Sequence, residues 1–171
     1  MVKGLKQTSS VVAIGFEAIE PAPNTFTQSQ VDLNLSPLDR EVFVVLAVDL
    51  DCFAPSSVLG VNTSVSASLT TTRQTAVVNL SNSNCLANQV LEIRSDAVST
   101  DNGLGFSRQS GESPSSMLDF IGIIATNDFF VQVAGQGNTG LKSVSGKLYG
   151  YRAMASADIF AALVQSEVLS A

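Results

Sequence analysis

The chain has 171 residues, of which 45% are hydrophobic and only 14% charged, with a net charge of −6 and no histidine. A chain this rich in apolar residues excludes intrinsic disorder and has the length of one domain with a real core. The acidic balance, with a pI of about 4.4, excludes wrapping of nucleic acid through a general positive field, which needs clustered Lys and Arg.

Taken in order, the chain opens on a lightly basic segment, Lys3 and Lys6, read as an N-terminal arm over 1–10 with solvated charge. The apolar run from Val11 to Phe16 stops at Glu17 and is too short for the core of a signal peptide. No signal peptide and no membrane insertion are therefore expected, and the Asn34, Asn62 and Asn79 sequons read as chance in an Asn/Ser-rich chain. Period-two alternation predicts strands over 10–20 and 26–35, separated by Pro21-Ala22-Pro23-Asn24. The next strand, 41–51, contains an unbroken apolar run over 42–48, the pattern of a strand buried on both faces. A strand over 61–72 sets Val65, Ala67 and Leu69 against Ser64, Ser66 and Ser68, without one charge. Further strands are expected over 74–80 and 89–95, then a long polar loop over 99–116 with a tight turn at Asp101-Asn102-Gly103 and a short strand around Phe106. An apolar stretch over 117–125, a strand over 129–134, a Gly-rich hairpin loop over 135–140 and a last strand over 143–152 follow.

The period then changes. Ser156 can cap a helix with Asp158 in its first turn and Ile159, Phe160, Leu163 and Val164 on one side. The expectation is an all-β fold, a β-sandwich or jelly-roll-like barrel of about 8–10 strands over 11–155, with a C-terminal helix and tail over 156–171. Strand order is not readable from the sequence.

Chemistry is poorly supplied. Without histidine, Ser-His-Asp and Cys-His arrangements are impossible, and His-containing metal sites go with them. Asp49 and Asp51, two apart at a strand end, share one face and are weak candidates for a hard-cation site or an acid/base pair, against a reading as solvated charge. Glu17 with Glu20, and Asp119 with Asp128, are looser pairs. Gly103-Leu104-Gly105 and Gly135-Gln136-Gly137 lack the Lys-Ser/Thr ending of a phosphate loop and read as turns. Phe129, Phe130, Tyr149 and Tyr151 could stack bases, but with few basic neighbours beyond Lys147 and Arg152 they read as packing residues. Cys52 and Cys85 form no CxxC pair and read as buried free thiols, a bridge between them left open. No enzyme activity, cofactor, small-molecule substrate or specific nucleic-acid binding is expected.

The missing charge points elsewhere. From Cys52 to Leu91 the only charged residue is Arg73. Free monomers coat their surfaces with Lys and Glu, whereas the centres of protein–protein interfaces are depleted of charge. This region, with the 156–169 helix second, is therefore expected to be covered by copies of the same chain.

The closing stretch, Phe129-Phe130-Val131-Gln132-Val133-Ala134-Gly135-Gln136-Gly137-Asn138 and then Ser145-Gly146-Lys147-Leu148-Tyr149-Gly150-Tyr151-Arg152, resembles the last strand pair of single-jelly-roll capsid proteins of bacterial and archaeal viruses. The resemblance implies many identical copies, with other virion proteins as partners, forming an icosahedral shell around a genome. It implies a virion location after synthesis in the host cytoplasm. The chain lacks the long basic arm of capsid proteins of small RNA viruses, which puts direct genome binding in doubt. Two other roles stay open: a cement, decoration or tail-tube protein of the virion, and a calcium- or glycan-binding adhesin-type sandwich.

Overall fold

The computed structural model describes residues 3–95, 104–110 and 118–171. Ten strands and one helix are present among them: β1 (Leu5–Gln7), β2 (Val12–Ile19), β3 (Thr27–Asp32), β4 (Glu41–Cys52), β5 (Thr63–Thr70), β6 (Cys85–Arg94), β7 (Leu104–Ser110), β8 (Gly122–Ile124), β9 (Asp128–Gln136), β10 (Ser143–Ala155) and α1 (Ala157–Leu169). The strands form two antiparallel five-stranded sheets. Sheet A runs β1-β10-β4-β8, with β2 also pairing along β10, and sheet B runs β3-β9-β5-β6-β7.

The pairings β2 with β10, β3 with β9, β4 with β8 and β5 with β6 are those of one long antiparallel ribbon folded at the β5–β6 connection. Rolling that ribbon brings β10 beside β4 and β9 beside β5, which is a jelly roll. β7 adds a strand beyond β6. The main core lies between the sheets, where Phe16, Phe43, Val48, Leu69, Ile124, Phe129 and Leu148 interdigitate. Phe16 and Phe129 meet edge to face at 5.9 Å and 81°. Gln89 also crosses this space, accepting from the Cys52 backbone N–H at 2.9 Å.

A second, smaller core explains the unbroken run in β4. Phe43 and Val45 face the main core, while Val42 and Val44 face outward onto α1 with Leu5, Ala153 and Ala155. A register shift opposite Tyr149/Gly150 inserts one extra β4 residue, so that Val48, Leu50 and Cys52 return to the main core. Two glycines of β10 make this packing possible. A Cβ on Gly146 would lie 2.7 Å from the Phe16 ring and 2.0 Å from the Asp49 carbonyl oxygen; on Gly150 it would lie 2.5 Å from the Phe43 ring.

Several expectations change. Residues 74–80 form no strand but part of the connection over the outside of sheet B. The described part of the 117–125 stretch contributes the three residues of β8, and β6 starts four residues before the expected 89. The 1–10 segment carries β1, paired with β10 from Leu5↔Ala155 to Gln7↔Ala153. Ser156 takes the N-cap position and its carbonyl accepts from Phe160 N–H, yet its side chain makes no capping bond. The tight turn at 101–103 and most of the 99–116 loop lie outside the described residues; the strand around Phe106 is β7.

Candidate interaction surfaces

Asp49 and Asp51 lie on the outer face of sheet A, both exposed, opposite Lys147 and Ser145 of β10. Glu17 flanks Ser145 from the other side. The three carboxylates thus stand on two strands, β4 and β2, with β10 between them. Among the described residues no group of three or more potential ligands is placed to hold a metal ion. Asp119 is exposed, while Asp128 lies directly across from Asp32. Burial and the like charge of Asp32 raise the Asp128 carboxyl, against the lowering effect of the Gln30 amide that donates to it at 2.6 Å.

Glu20, noted only as a loose partner of Glu17, has a structural task. Buried at 1% exposure, its carboxylate accepts from Gly135 N–H at 2.6 Å and Lys142 N–H at 2.9 Å, fixing both ends of the β9–β10 loop. Asn138 at the loop centre exchanges reciprocal bonds with Asn24 and accepts from Ser56 N–H at 2.9 Å. Lys142 Nζ donates to Ala54 O at 2.8 Å and sits 5.0 Å from the Phe53 ring centroid. The Gly-rich 135–140 loop is therefore braced from three sides, and exposed Phe53, Leu59 and Leu141 stand on and around it.

The outer face of sheet B is charge-free at its centre. β5 presents Ser64, Ser66, Ser68 and Thr70, and β9 presents Gln132 and Ala134. Charge is confined to the rims: Glu92 with Arg94 and Arg108 on one side, Asp32, Asp128 and Arg73 on the other. Part of this face is covered by the chain itself. Gln132 Nε2 donates to Thr70 Oγ1 at 2.7 Å and Gln28 Oε1 at 2.9 Å, and its Oε1 accepts from Ser68 Oγ at 2.7 Å. The 71–84 connection folds back onto these groups through Gln74 N–H to Gln28 and Val78 N–H to Ser68 Oγ. Ser64, Ser66 and Ala134 remain half-buried and open outside it.

The helix closes one half of the outer face of sheet A. Ile159, Phe160, Leu163 and Val164 pack on the second core. Glu167, buried, accepts from Ala125 N–H at 2.9 Å and Thr126 N–H at 3.0 Å, latching the helix to the β8–β9 turn. Burial pushes its carboxyl above the ordinary value of 4.5, and the charge of Asp128 adds to that. Val168 and Leu169 stay exposed.

Phe129 is wholly buried; Phe130 lies on the outer face of sheet B with the Arg73 guanidinium 5.5 Å from its ring centroid. Tyr151 packs under the helix, and Arg152 ties the β3–β4 loop through Leu33 O, Asn34 O and Glu41. The cysteines are free, Cys52 buried and Cys85 half-buried, and burial pushes the thiols up to about 12 and about 11. No described helix is long and apolar enough to cross a membrane.

No family model and no curated protein matches the sequence. Among solved structures the chain is similar to the unassembled pentamer of Merkel cell polyomavirus VP1, at 8% identity and a TM-score of 0.40, covering 91% of this chain and 100% of that one. It is also similar to Desmodium yellow mottle tymovirus, at 12% identity and 0.33 over 86% and 90% of the two chains. For turnip yellow mosaic virus the values are 12% and 0.29 over 87% and 95%. The fold assignment rests on the strand order above.

Proposed function

We propose that the chain is a virion structural protein, a capsid subunit that assembles in many copies around a viral genome and does no chemistry itself. The observation that carries this reading is the charge-free outer face on β5 and β9. Ser64, Ser66 and Ala134 remain open there in place of the Lys and Glu that keep a free monomer apart from its copies. The jelly-roll strand order supports it, since that architecture serves shells, although lectins and enzymes use it too. A braced loop end carrying Phe53, Leu59 and Leu141 gives a subunit rigid apolar points of contact. The acidic surface leaves genome binding to other virion components.

Purified protein is expected to form closed particles or capsomers by light scattering and electron microscopy. Rings or open tubes would assign it instead to a tail tube, and a stable monomer at high concentration would overturn the proposal. Calorimetric titration with calcium and a glycan panel tests the adhesin alternative, with Asp49 and Asp51 as its only metal candidates; no binding is expected.

A further inference from the structure

β2 is a long sheet edge defended by one charge, Glu17. Among the described residues it pairs with β10 on one side only, continuously from Val12↔Gly150 to Ile19↔Ser143 without a register shift. Natural edges are protected by Lys, Pro, bulges or extreme shortness. β8 has three residues, β7 carries Arg108, and β3 carries Asp32 and is joined at Gln28 by the 71–84 connection. Residues 12–19 hold no Lys, Arg or Pro. Exposed apolar side chains, Val11 at 55% and Ile19 at 52%, mark the two ends of this edge.

The hydrogen-bonding phase of the strand is known. Glu20 N–H donates to Lys142 O, so even-numbered residues turn their backbone groups toward β10, and Ala13, Gly15, Glu17 and Ile19 turn theirs to the open edge. At the middle stands Gly15. A Cβ there would meet only the Gly146 carbonyl oxygen, at 4.0 Å, and no positive φ demands glycine. Glycine inside a strand weakens it and often marks the close approach of another backbone. Nothing among the described residues accounts for Gly15.

We infer that the β2 edge is an interface between two copies of this chain, which pair their β2 strands antiparallel across a two-fold axis at Gly15 and join the two copies of sheet A into one continuous sheet. The inference rests on the self-association reading above and gives it a specific contact. Centred on Gly15, the pairing is self-complementary. Gly15 exchanges both bonds with its counterpart, Ala13 meets the partner's Glu17, and Val11 meets the partner's Ile19, which covers the two exposed apolar ends. The only charge of the strand never faces itself. Lys147, beside Gly15 on β10, has no side chain between it and the edge. The partner's Glu17 then lies two strand spacings away, about 10 Å laterally, within reach of the two long side chains on the same outer face.

Cysteine cross-linking of the full-length chain tests the register. Gly15→Cys is expected to give a disulfide-linked dimer on mild oxidation, since opposed residues in a bonded pair stand about 5.5 Å apart. Ala13→Cys and Glu17→Cys are expected to cross-link only when mixed. Ala13→Pro removes an edge N–H but no internal bond, and Ile19→Lys adds the edge lysine that β2 lacks. Each is expected to weaken dimerisation, read by light scattering, about tenfold or more with unchanged circular dichroism. Self-cross-linking of Ala13→Cys, no cross-link at all, or dimerisation untouched by both edge variants would overturn the inference. Particles that form normally from both edge variants, without Gly15→Cys cross-linking, would sink this contact and leave the shell. Cross-linked dimers that never form particles would keep the contact and sink the shell.

Discussion

The outer faces of the two sheets are both partly closed by the chain's own connections, but by opposite chemistry. Sheet A is covered by a helix whose Ile159, Phe160, Leu163 and Val164 lie on Val42, Val44 and Ala153, an apolar seal with a single buried carboxylate at its far end. Sheet B is covered by the 71–84 connection, bonded to Gln28, Ser68 and Thr70, side chains that Gln132 in turn holds together by hydroxyl and amide bonds. The apolar seal draws its strength from area and tolerates imprecision. The polar seal gains little net energy per bond, yet leaving any member unpaired is costly. The same chain therefore builds one face that adheres and one that specifies.

Substitutions at each seal sharpen the contrast. Val44→Asp would bury an unpaired carboxylate between sheet and helix. It is expected to cost about 4 kcal/mol or more and release α1, seen as lost helical ellipticity and protease cleavage near residue 156. Gln132→Ala leaves Ser68, Thr70 and Gln28 without their shared partner. A loss of about 2–3 kcal/mol in denaturant melts is expected, with faster amide exchange confined to 71–84. Equal exchange changes in both seals would break the comparison.

Glu167 is where the apolar seal borrows polar chemistry. Its carboxyl is raised by burial and by Asp128, so the folded state holds the proton more tightly than the unfolded one. The stability tied to this group is present below 4.5 and lost as pH rises through the raised folded value. Glu167→Gln is expected to cost about 1 kcal/mol near neutral pH. The gap to wild type should widen on acidification, because only the wild type gains from protonation; thermal melts across the acid range check this. The smallest effect belongs to Thr71, whose hydroxyl is buried without a partner among the described residues. Thr71→Val is expected to be neutral or to stabilise by up to about 1 kcal/mol in the same melts.

Much of this architecture was legible in the chain. Alternation located β2, β3 and β5 because each has one face on the core, and the 42–48 run announced the two-sided burial of β4 before the second core was visible. The strand predicted over 74–80 failed for a physical reason. Val77 and Val78 have strand-like side chains, but the segment serves as a cover, bonding through Gln74 and Val78 N–H groups to side chains. β1 was hidden because three residues carry no period. The charge gap from Cys52 to Leu91 pointed to a surface covered by copies of the chain; part of its covering is internal, supplied by the 71–84 connection. Glu20, Asn138 and Glu167 had no signal: a carboxylate that clamps a loop looks, in sequence, like any other. The vacancy at Gly15 became meaningful only once its neighbours were known.

The ribbon topology also sets a timetable. Sheet A is organised around β10, which pairs with β1, β2 and β4, joining Leu5 to Ala155. Contacts spanning so much sequence close slowly, and here they cannot close at all until the ribosome has delivered residue 155. A nascent chain therefore holds β2 without its inner neighbour until β10 has been made. Neighbouring chains on one message would meet as partly folded ribbons, and competence to associate would arrive late, in one step, as the final strand slides into place.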